Sequence, residues 1–158
     1  MTKTSKQEVI GRVQRSYPRL HRILVPLDFS GKSRAALRHA VPLADKFGGK
    51  IVLIHVLTTG GDDKKSASAA SQSSRRAAAL KRLRETALQF MPPEMLDETI
   101  VRTGKPSVEI VDAARSLRVD LIAITTQGST GLKRLLMGST ADQVLRLAQC
   151  PVLTVRKQ

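Results

Sequence analysis

The sequence predicts an α/β fold in which a parallel β-sheet is covered by α-helices on both faces. Short apolar runs rich in β-branched residues alternate along the chain with segments whose apolar residues recur at helical spacing. The run at residues 50–57 is apolar at most positions, which is typical of a strand buried on both sides in a parallel sheet. Alternation of strand and helix of this kind dictates one sheet with helices on both faces.

Composition indicates a single soluble globular domain. The chain has 158 residues, 41% hydrophobic and 25% charged, and this length suffices to bury a full core. No window is apolar enough to span a membrane, and the basic N-terminus lacks the apolar segment of a signal peptide. The single Cys excludes an internal disulfide framework and favours a reducing compartment, so we expect a cytoplasmic protein.

The net charge of +14 is the unusual feature of the composition. It predicts weak, nonspecific attraction to polyanions, although aromatic residues are too sparse for a platform that stacks nucleic-acid bases. Residues 1–22 carry six basic residues against one acid, Glu8. We expect a solvated basic arm over residues 1–21, with room for a short helix near 7–14 that Pro18 would end, and a folded domain over 22–157.

The first half of the domain reads as strand, helix, strand. Residues 23–27 form a short apolar run that ends at a carboxylate, and Ser30 is available as the N-cap of the following helix. Pro42 predicts a kink or local break in that helix, which Gly48 and Gly49 then close. The strand at 50–57 follows.

The second half begins with a segment rich in Gly, Asp, Ser and Ala over residues 58–74, which we interpret as a mobile loop. A helix marked by apolar residues from Leu80 to Phe90 follows, and Pro92 with Pro93 stops it. A short strand at 99–101 precedes a helix that starts at Pro106, a residue favoured at the first helical position.

The last quarter of the chain is the most informative stretch for function. An apolar run at 119–124 stops at a polar, glycine-bearing loop, and Gly138, Ser139 and Thr140 then open an amphipathic segment. Pro151 to Val155 form a last short strand. A helix N-terminus opened in this way presents unpaired backbone N–H groups and hydroxyls, which suit an anion and phosphate above all.

Three of the predicted strands end at residues that could meet a common ligand. Asp28, Val56 and the segment 125–128 each fall at the carboxyl end of a strand. Ligands of open parallel sheets bind outside these ends, where the strand order changes direction. The sequence therefore predicts a binding site at this edge of the sheet.

Several motifs, in order, resemble those of the universal stress protein family over nearly all of residues 22–156. They are Val-Pro-Leu-Asp-Phe-Ser at 25–30, Leu-Ile-His-Val at 53–56, Gly104 with Pro106, Asp120-Leu-Ile, Gly128-x2-Gly131-Leu-Lys-Arg-Leu-Leu-x-Gly-Ser, and Cys150-Pro-Val-Leu-x-Val. The resemblance implies a Rossmann-like, five-stranded parallel sheet of order 3-2-1-4-5. It also implies homodimers formed by antiparallel pairing of the last strand, Pro151 to Val155, and, in one branch, bound ATP, alone or with Mg²⁺.

The resemblance also implies site residues. The residue matching Asp28 touches the ribose, the backbone matching Val56 meets the adenine, and the signature Gly-x2-Gly-x9-Gly-Ser/Thr wraps the ribose and phosphates. The residues carried over are Pro26, Leu27, Asp28, Val56, Thr125, Gly128, Gly138, Ser139 and Thr140. Thr125 stands where the signature has its first glycine, and its Cβ adds bulk at a point where backbone approaches the ligand.

Some of these residues have a plainer interpretation. Asp28 could merely cap the next helix, and Ser139 could cap its own helix, since Ser139-x-x-Asp142 has the form of a capping box. We interpret His55 as a satisfied core histidine and Cys150 as a small apolar residue at a strand start. Lys133 and Arg134 suit either phosphate contact or solvated loop positions equally.

The leading interpretation is a stress-response protein that binds adenine nucleotide, weakly if Thr125 obstructs it, and acts through partners. One alternative is a family member whose loop is structural and which works by dimerisation alone. Another is a polyanion-associated protein that uses its basic arm and basic second helix. No nucleophile triad, metal-ligand cluster or Walker motif stands at a recognisable spacing, so any ATP hydrolysis would be incidental.

Overall fold

The computed structural model describes residues 20–58, 69–126 and 139–156 and shows the expected alternation of strands and helices. The strands are β1 (Arg22–Pro26), β2 (Lys50–Leu57), β3 (Leu96–Thr103), β4 (Leu121–Thr125) and β5 (Val152–Val155). The helices are α1 (Ser33–Phe47), α2 (Ala69–Phe90), α3 (Pro106–Ser116) and α4 (Ser139–Leu147), with a 3₁₀ turn at Pro93–Met95. The strands form one parallel sheet of order β3-β2-β1-β4-β5, which confirms the predicted fold class.

Side chains of the central strands alternate between two apolar layers, because successive residues of a strand point to opposite faces. Ile23 and Val25 of β1 pack with α1 and α2 on one face, together with Leu83 of α2. Leu24 of β1 packs with α3 and α4 on the other, together with Val144 of α4. Burial on both faces explains why β1 and β2 are continuous apolar runs rather than alternating ones.

Asp120 fastens the amino end of β1 to the turn before β4. Its Oδ2 accepts hydrogen bonds from the backbone N–H groups of His21, at 2.7 Å, and Arg22, at 2.9 Å. The Arg22 guanidinium in turn pairs with Asp97 at 2.7 Å and donates to the Leu117 carbonyl. Asp120 therefore organises the edge of the sheet opposite the predicted binding site.

Two predictions about α1 need correction: the predicted N-cap residue is wrong, and of the kink or local break predicted at Pro42 the break does not occur. The residue at the N-cap position is Lys32, which makes no side-chain capping bond. Ser30 contributes from two positions earlier, since its hydroxyl accepts the N–H of Ser33 at 3.2 Å. The local break at Pro42 is absent: α1 continues to Phe47, because Pro42 lies on the exposed side of the helix, where water can satisfy the carbonyl group that loses its partner. Gly48, with φ of 66°, closes the helix as predicted.

Two boundaries in the second half also differ from prediction. Residues 69–74, assigned from composition to a loop, form the first turns of α2, because the alanines in this segment are strong helix formers even where the helix is exposed. The third strand extends over Leu96–Thr103 rather than 99–101. Leu96 and Glu98 pair with Ile51 and Val52 of β2, and Asp97 lies at the irregularity between them, so pairing with β2 extends the strand through these charged residues at the edge of the sheet.

The remaining predictions about chain organisation fall mainly outside the described residues. These are the basic arm, the loop at 59–68, and the division into 1–21 and 22–157, which stays a prediction. Among the helices that are described, none is both long and apolar enough to cross a membrane.

Candidate functional site

A cleft of about 300 Å³ opens at the carboxyl edge of the sheet, above the ends of β1, β2 and β4. The strand order reverses here, since β2 and β3 lie to one side of β1 and β4 and β5 to the other. This is the switch point at which open parallel sheets bind ligands. Its volume lies at the lower end of the range for small-molecule sites.

The cleft brings together seven of the nine residues selected from sequence. They are Pro26, Leu27, Asp28, Val56, Thr125, Ser139 and Thr140, which come from four separate stretches of the chain. Gly128 and Gly138 lie outside the described residues, as do Lys133 and Arg134. The structure thus assembles every described residue of the predicted set in one place.

Asp28 lies exposed on the turn that leaves β1, and Ser30 orients its carboxylate. Oδ1 accepts the backbone N–H of Ser30 at 2.9 Å and its hydroxyl at 2.6 Å, an Asx turn that fixes the side chain beside the cleft. These bonds lie within the turn before α1, so Asp28 has a local structural role, although it is not the helix cap considered from sequence. This role leaves room for a ligand contact too, because a carboxylate offers about four acceptor positions.

Phe29, next in the turn, has φ of 62°, a left-handed conformation that costs a side-chain-bearing residue roughly 1–3 kcal/mol. Contacts on both sides of its ring oppose this cost. His55 stacks on one side with ring centroids 4.3 Å apart, and the Arg82 guanidinium lies over the ring at 4.1 Å. Strained backbone of this kind is held in place only where its surroundings determine it, as they do beside this cleft.

His55 is satisfied, as predicted, although it is half-buried rather than fully buried. Its Nδ1 lies 2.7 Å from the carbonyl oxygen of Leu27. Since a carbonyl can only accept, Nδ1 carries the proton, and Nε2 is an acceptor in the neutral ring. His55 also lines the cleft, so it belongs to the site as a structural support for the β1 turn rather than as a base.

Thr125 ends β4 in register with Val155 of β5 and lines the cleft. Among the described residues, those with positive φ are Phe29, Arg118 and two glycines. The backbone at Thr125 therefore has an ordinary strand conformation that any residue adopts, and only its side chain distinguishes it from glycine. Replacing the first glycine of the signature by Thr125 therefore adds side-chain volume at the cleft and does not change the backbone conformation.

Ser139 and Thr140 begin α4 and supply the polar side of the cleft. Asp142, the acid of the predicted capping box, faces the next turn instead: its Oδ2 accepts from Arg146 Nε at 3.1 Å. Ser139 is exposed and Thr140 is half-buried. The first turn of α4 is thus accessible to an anion.

The wall opposite β1 comes from the corner between β3 and α3. Gly104 has φ of 153°, and a Cβ there would lie 2.8 Å from the Glu109 carboxylate, so glycine lets this corner close tightly. Pro106 then starts α3 beside the cleft. Ser107, which is buried, donates to the Gln143 side chain at 2.7 Å and fastens α3 to α4.

Sequence reasoning did not select eight further lining residues. They are Ser33, Ile54, His55, Thr58, Pro106, Ile110, Ile124 and Ala141. Ile54, Ile110 and Ile124 form part of the apolar core that extends to the cleft. Their sequence signal was that of core residues, and only tertiary packing shows that they also border the cleft.

Two observations argue against a metal site and a reactive thiol in the described residues. Within residues 20–58, 69–126 and 139–156 there is no group of three or more His, Cys, Asp or Glu side chains that could hold a metal ion. Cys150 is half-buried and lies outside the cleft. Burial raises the pKa of its thiol, and the nearby Asp120 carboxylate adds to the effect, which is the opposite of nucleophile activation.

Fold and cleft together define a doubly wound α/β protein with a cleft at the carboxyl edge of its sheet. The sequence model of the universal stress protein family matches residues 19–156 of the chain. The chain belongs to the universal stress protein family, as its motifs indicated.

Individual relatives agree with this assignment. Universal stress protein MJ0531 of Methanocaldococcus jannaschii is 32% identical over 96% of this chain and 92% of its own. Universal stress protein YxiE of Bacillus subtilis is 30% identical over 86% of this chain and 99% of its own. The solved structure of MJ0577 has a TM-score of 0.74 at 26% identity, covering 89% of this chain and 98% of that one.

Another solved structure is a universal stress protein in complex with cAMP. It has a TM-score of 0.64 at 20% identity and covers 87% of this chain and 97% of that one. At this identity the likeness shows the shared fold alone.

Proposed function

We propose that the cleft binds an adenine nucleotide, with ATP as the leading ligand, and that binding rather than catalysis is its role. The observation that carries the proposal is the convergence of seven sequence-selected residues from four stretches on one cleft at the switch point. A protein of the same fold is known in complex with cAMP, which is also an adenine nucleotide.

The cleft has an apolar part, a carboxylate and a helix N-terminus, which suit the base, the ribose and the phosphates of such a ligand. Ile54, Val56 and Ile110 offer an apolar surface for a planar base, and Val56 is the residue whose backbone the family resemblance assigns to the adenine. Asp28, fixed by Ser30, suits the ribose hydroxyls as an acceptor. The N-terminus of α4, with Ser139 and Thr140, favours phosphates through its free N–H groups and dipole.

Thr125 sets the expected strength of binding. If its side chain displaces the nucleotide enough to lose one or two charge-assisted hydrogen bonds, at about 1.5–3 kcal/mol each, affinity moves from micromolar towards millimolar. We therefore propose a weak site. Within the described residues no group of three or more His, Cys, Asp or Glu side chains could hold a metal ion, and we propose binding without designed hydrolysis.

Calorimetric titration with ATP, with and without Mg²⁺, tests the proposal. We expect Asp28→Ala to weaken binding at least tenfold, while Asp45→Ala, which removes another exposed carboxylate far from the cleft, leaves it unchanged. Gly138→Val should abolish binding because it adds bulk beside Ser139. Native mass spectrometry of the purified protein reports retained nucleotide independently.

Failure of the parent protein to bind any adenine nucleotide, together with failure of Thr125→Gly to restore binding, would reject the proposal. It would favour the alternative in which the loop after β4 is structural and the protein acts by dimerisation alone. Equal affinity of Asp28→Ala and the parent would place the nucleotide elsewhere.

We also propose that the protein is a homodimer joined through β5. β5 has one neighbour, β4, among the described strands, and so leaves an edge open. Val152, Leu153 and Thr154 on it are half-buried and predominantly apolar or β-branched. Antiparallel pairing of two such edges about a twofold axis satisfies the backbone groups that would otherwise invite aggregation.

A further inference from the structure

The two helical layers of the protein differ sharply in charge. Helices α1 and α2, which cover one face of the sheet, carry eight Lys or Arg residues and two acidic ones. Helices α3 and α4, on the other face, carry two basic and three acidic residues. Much of the excess positive charge of the chain is therefore concentrated on one side of the domain.

The layers differ equally in how their charges are paired. On the α3–α4 side, Arg115 pairs with Asp112 at 3.7 Å and Arg146 with Asp142 at 3.1 Å. On the α1–α2 side, within the described parts of the chain, Arg34, Arg38 and Arg82 have no carboxylate within ion-pair distance. Their charges are available to an external anion.

These three arginines lie along the boundary between α1 and α2, and we refer to Arg34, Arg38 and Arg82 as the arginine seam. Arg34 and Arg82 line one shallow, polar groove of about 170 Å³, together with Thr86 and Gln89. Glu85 also borders the groove, but its carboxylate faces Lys81 at 3.9 Å. The groove is large enough for a phosphate group between two guanidinium groups.

Aromatic rings hold two of the arginines in position. The Arg82 guanidinium lies 4.1 Å from the centroid of Phe29, and that of Arg38 lies 6.0 Å from the centroid of Phe90. Contact of this kind restricts the side chain while leaving its N–H groups free to donate, and arginine forks match phosphate geometry. The seam is therefore better ordered than a set of solvated lysines.

We propose that the α1–α2 face binds the phosphate backbone of nucleic acid, with the arginine seam as its centre. Guanidinium groups match the geometry of backbone phosphates, and contacts to phosphates carry no sequence information, so binding is independent of sequence. A membrane surface fits less well, because Ala79, Leu83 and Ala87 of α2 are buried and Leu88 is the one large apolar side chain that this helix exposes. None of the three seam arginines lines the nucleotide cleft, so the proposal does not rest on nucleotide binding.

Fluorescence anisotropy with a labelled 20-nucleotide DNA strand, measured on the full chain from 50 to 200 mM KCl, tests this proposal. Neutralising the seam by the triple change Arg34→Gln, Arg38→Gln and Arg82→Gln should weaken binding at least tenfold at 50 mM KCl. It should also lower the slope of log affinity against log salt by about 2, since each phosphate contact on a single strand contributes about 0.7.

The matched control removes three positive charges from the opposite face, through Arg115→Gln, Arg118→Gln and Arg146→Gln. It should bind DNA within about twofold of the parent and keep its salt slope. Equal losses in the two triple variants would show that net charge alone matters and would overturn the proposal. So would failure of the parent to bind at 50 mM KCl, or seam-dependent binding to phosphatidylserine vesicles without DNA binding.

Circular dichroism of both triple variants checks that they remain folded, and because the seam residues are exposed we expect unchanged helix content. Arg82 packs on Phe29 beside the cleft, so ATP titration is made on the double variant Arg34→Gln, Arg38→Gln, neither of which lines the cleft. This double variant should lose DNA affinity and keep the ATP affinity of the parent. If DNA and ATP affinity fall together in the folded double variant, the seam is not a separate surface and the proposal fails.

Discussion

At the scale of single residues, the notable substitution is Thr125, because it stands at the site of the missing glycine but has an ordinary strand backbone. Around it, Asp28 is fixed by Ser30, and His55 by the Leu27 carbonyl and Phe29. These neighbours of Thr125 are therefore held in position by contacts within the protein itself. Within the described part of the site, the side chain of Thr125 is where the sequence differs from the family signature.

We expect Thr125→Gly to tighten ATP binding by about tenfold for each recovered hydrogen bond of about 1.4 kcal/mol. The same change should lower the free energy of unfolding by about 0.5–1 kcal/mol, since glycine weakens a strand interior. Calorimetry and urea denaturation measure the two effects separately. Thr125→Ala, which keeps a Cβ, is the control and should gain less affinity. Unchanged affinity in Thr125→Gly would show that the missing glycine is not the obstacle.

Cys150 provides a second prediction at this scale. Because burial raises its thiol pKa, less thiolate is present at a given pH, and iodoacetamide should react more slowly with the folded than with the urea-unfolded protein at pH 8. The same shift means that the thiol's contribution to stability is complete below its unfolded-state pKa and is lost as pH rises through the folded value. As the sequence has one Cys, mass spectrometry reads the reaction without ambiguity. Faster reaction of the folded protein would contradict the assigned shift.

At the scale of elements, the direction of backbone groups on β5 decides how its open edge can be used. The carbonyl oxygens of Pro151 and Val155 accept hydrogen bonds from the N–H groups of Ile122 and Thr126. Alternate residues of a strand face opposite edges, so Val152 and Thr154 direct their N–H and carbonyl groups away from β4. These are the groups that a second copy of the strand would pair with.

Thr154→Pro should therefore convert a dimer into a monomer while the fold is kept, because the lost N–H is directed outward and not towards β4. Sedimentation velocity at micromolar concentration measures the subunit number. Thr154→Val retains the N–H and should remain dimeric. A monomeric parent protein would refute the β5 dimer, and a dimeric, folded Thr154→Pro would show that the subunits meet elsewhere.

At the scale of the whole molecule, stability comes from two apolar layers on either side of one sheet, and α2 shows the contrast between buried and exposed positions. Leu83 of α2 is fully buried against the sheet, while Leu88 on the same helix is 68% exposed. The two positions allow the contribution of the layer to be measured with the same substitution.

Leu83→Ala should lower the free energy of unfolding by about 2–5 kcal/mol, the usual cost of a cavity in a packed core. Leu88→Ala should change it by less than about 0.5 kcal/mol, as surface substitutions do. Chemical denaturation followed by circular dichroism compares the two. Similar costs at both positions would mean that α2 does not pack as described.

The sequence by itself determined the alternation of strands and helices, the family, and seven of the residues that line the cleft. Apolar runs, helical spacing and the ends of strands are local signals, and the rule that parallel strands share a carboxyl edge connects Asp28, Val56 and Thr125 without any contact being known. The extents of α2 and β3 were not predictable in the same way, since helix propensity and edge pairing outweighed composition there.

Only the tertiary structure decided features that depend on residues far apart in sequence. Packing between elements places both His55 and Arg82 against Phe29. It also makes Ile54 and Ile110 line the cleft. It brings Arg34, Arg38 and Arg82 to one helix boundary. The net charge follows from composition alone. A basic surface forms only because α1 and α2 pack side by side on the same face of the sheet.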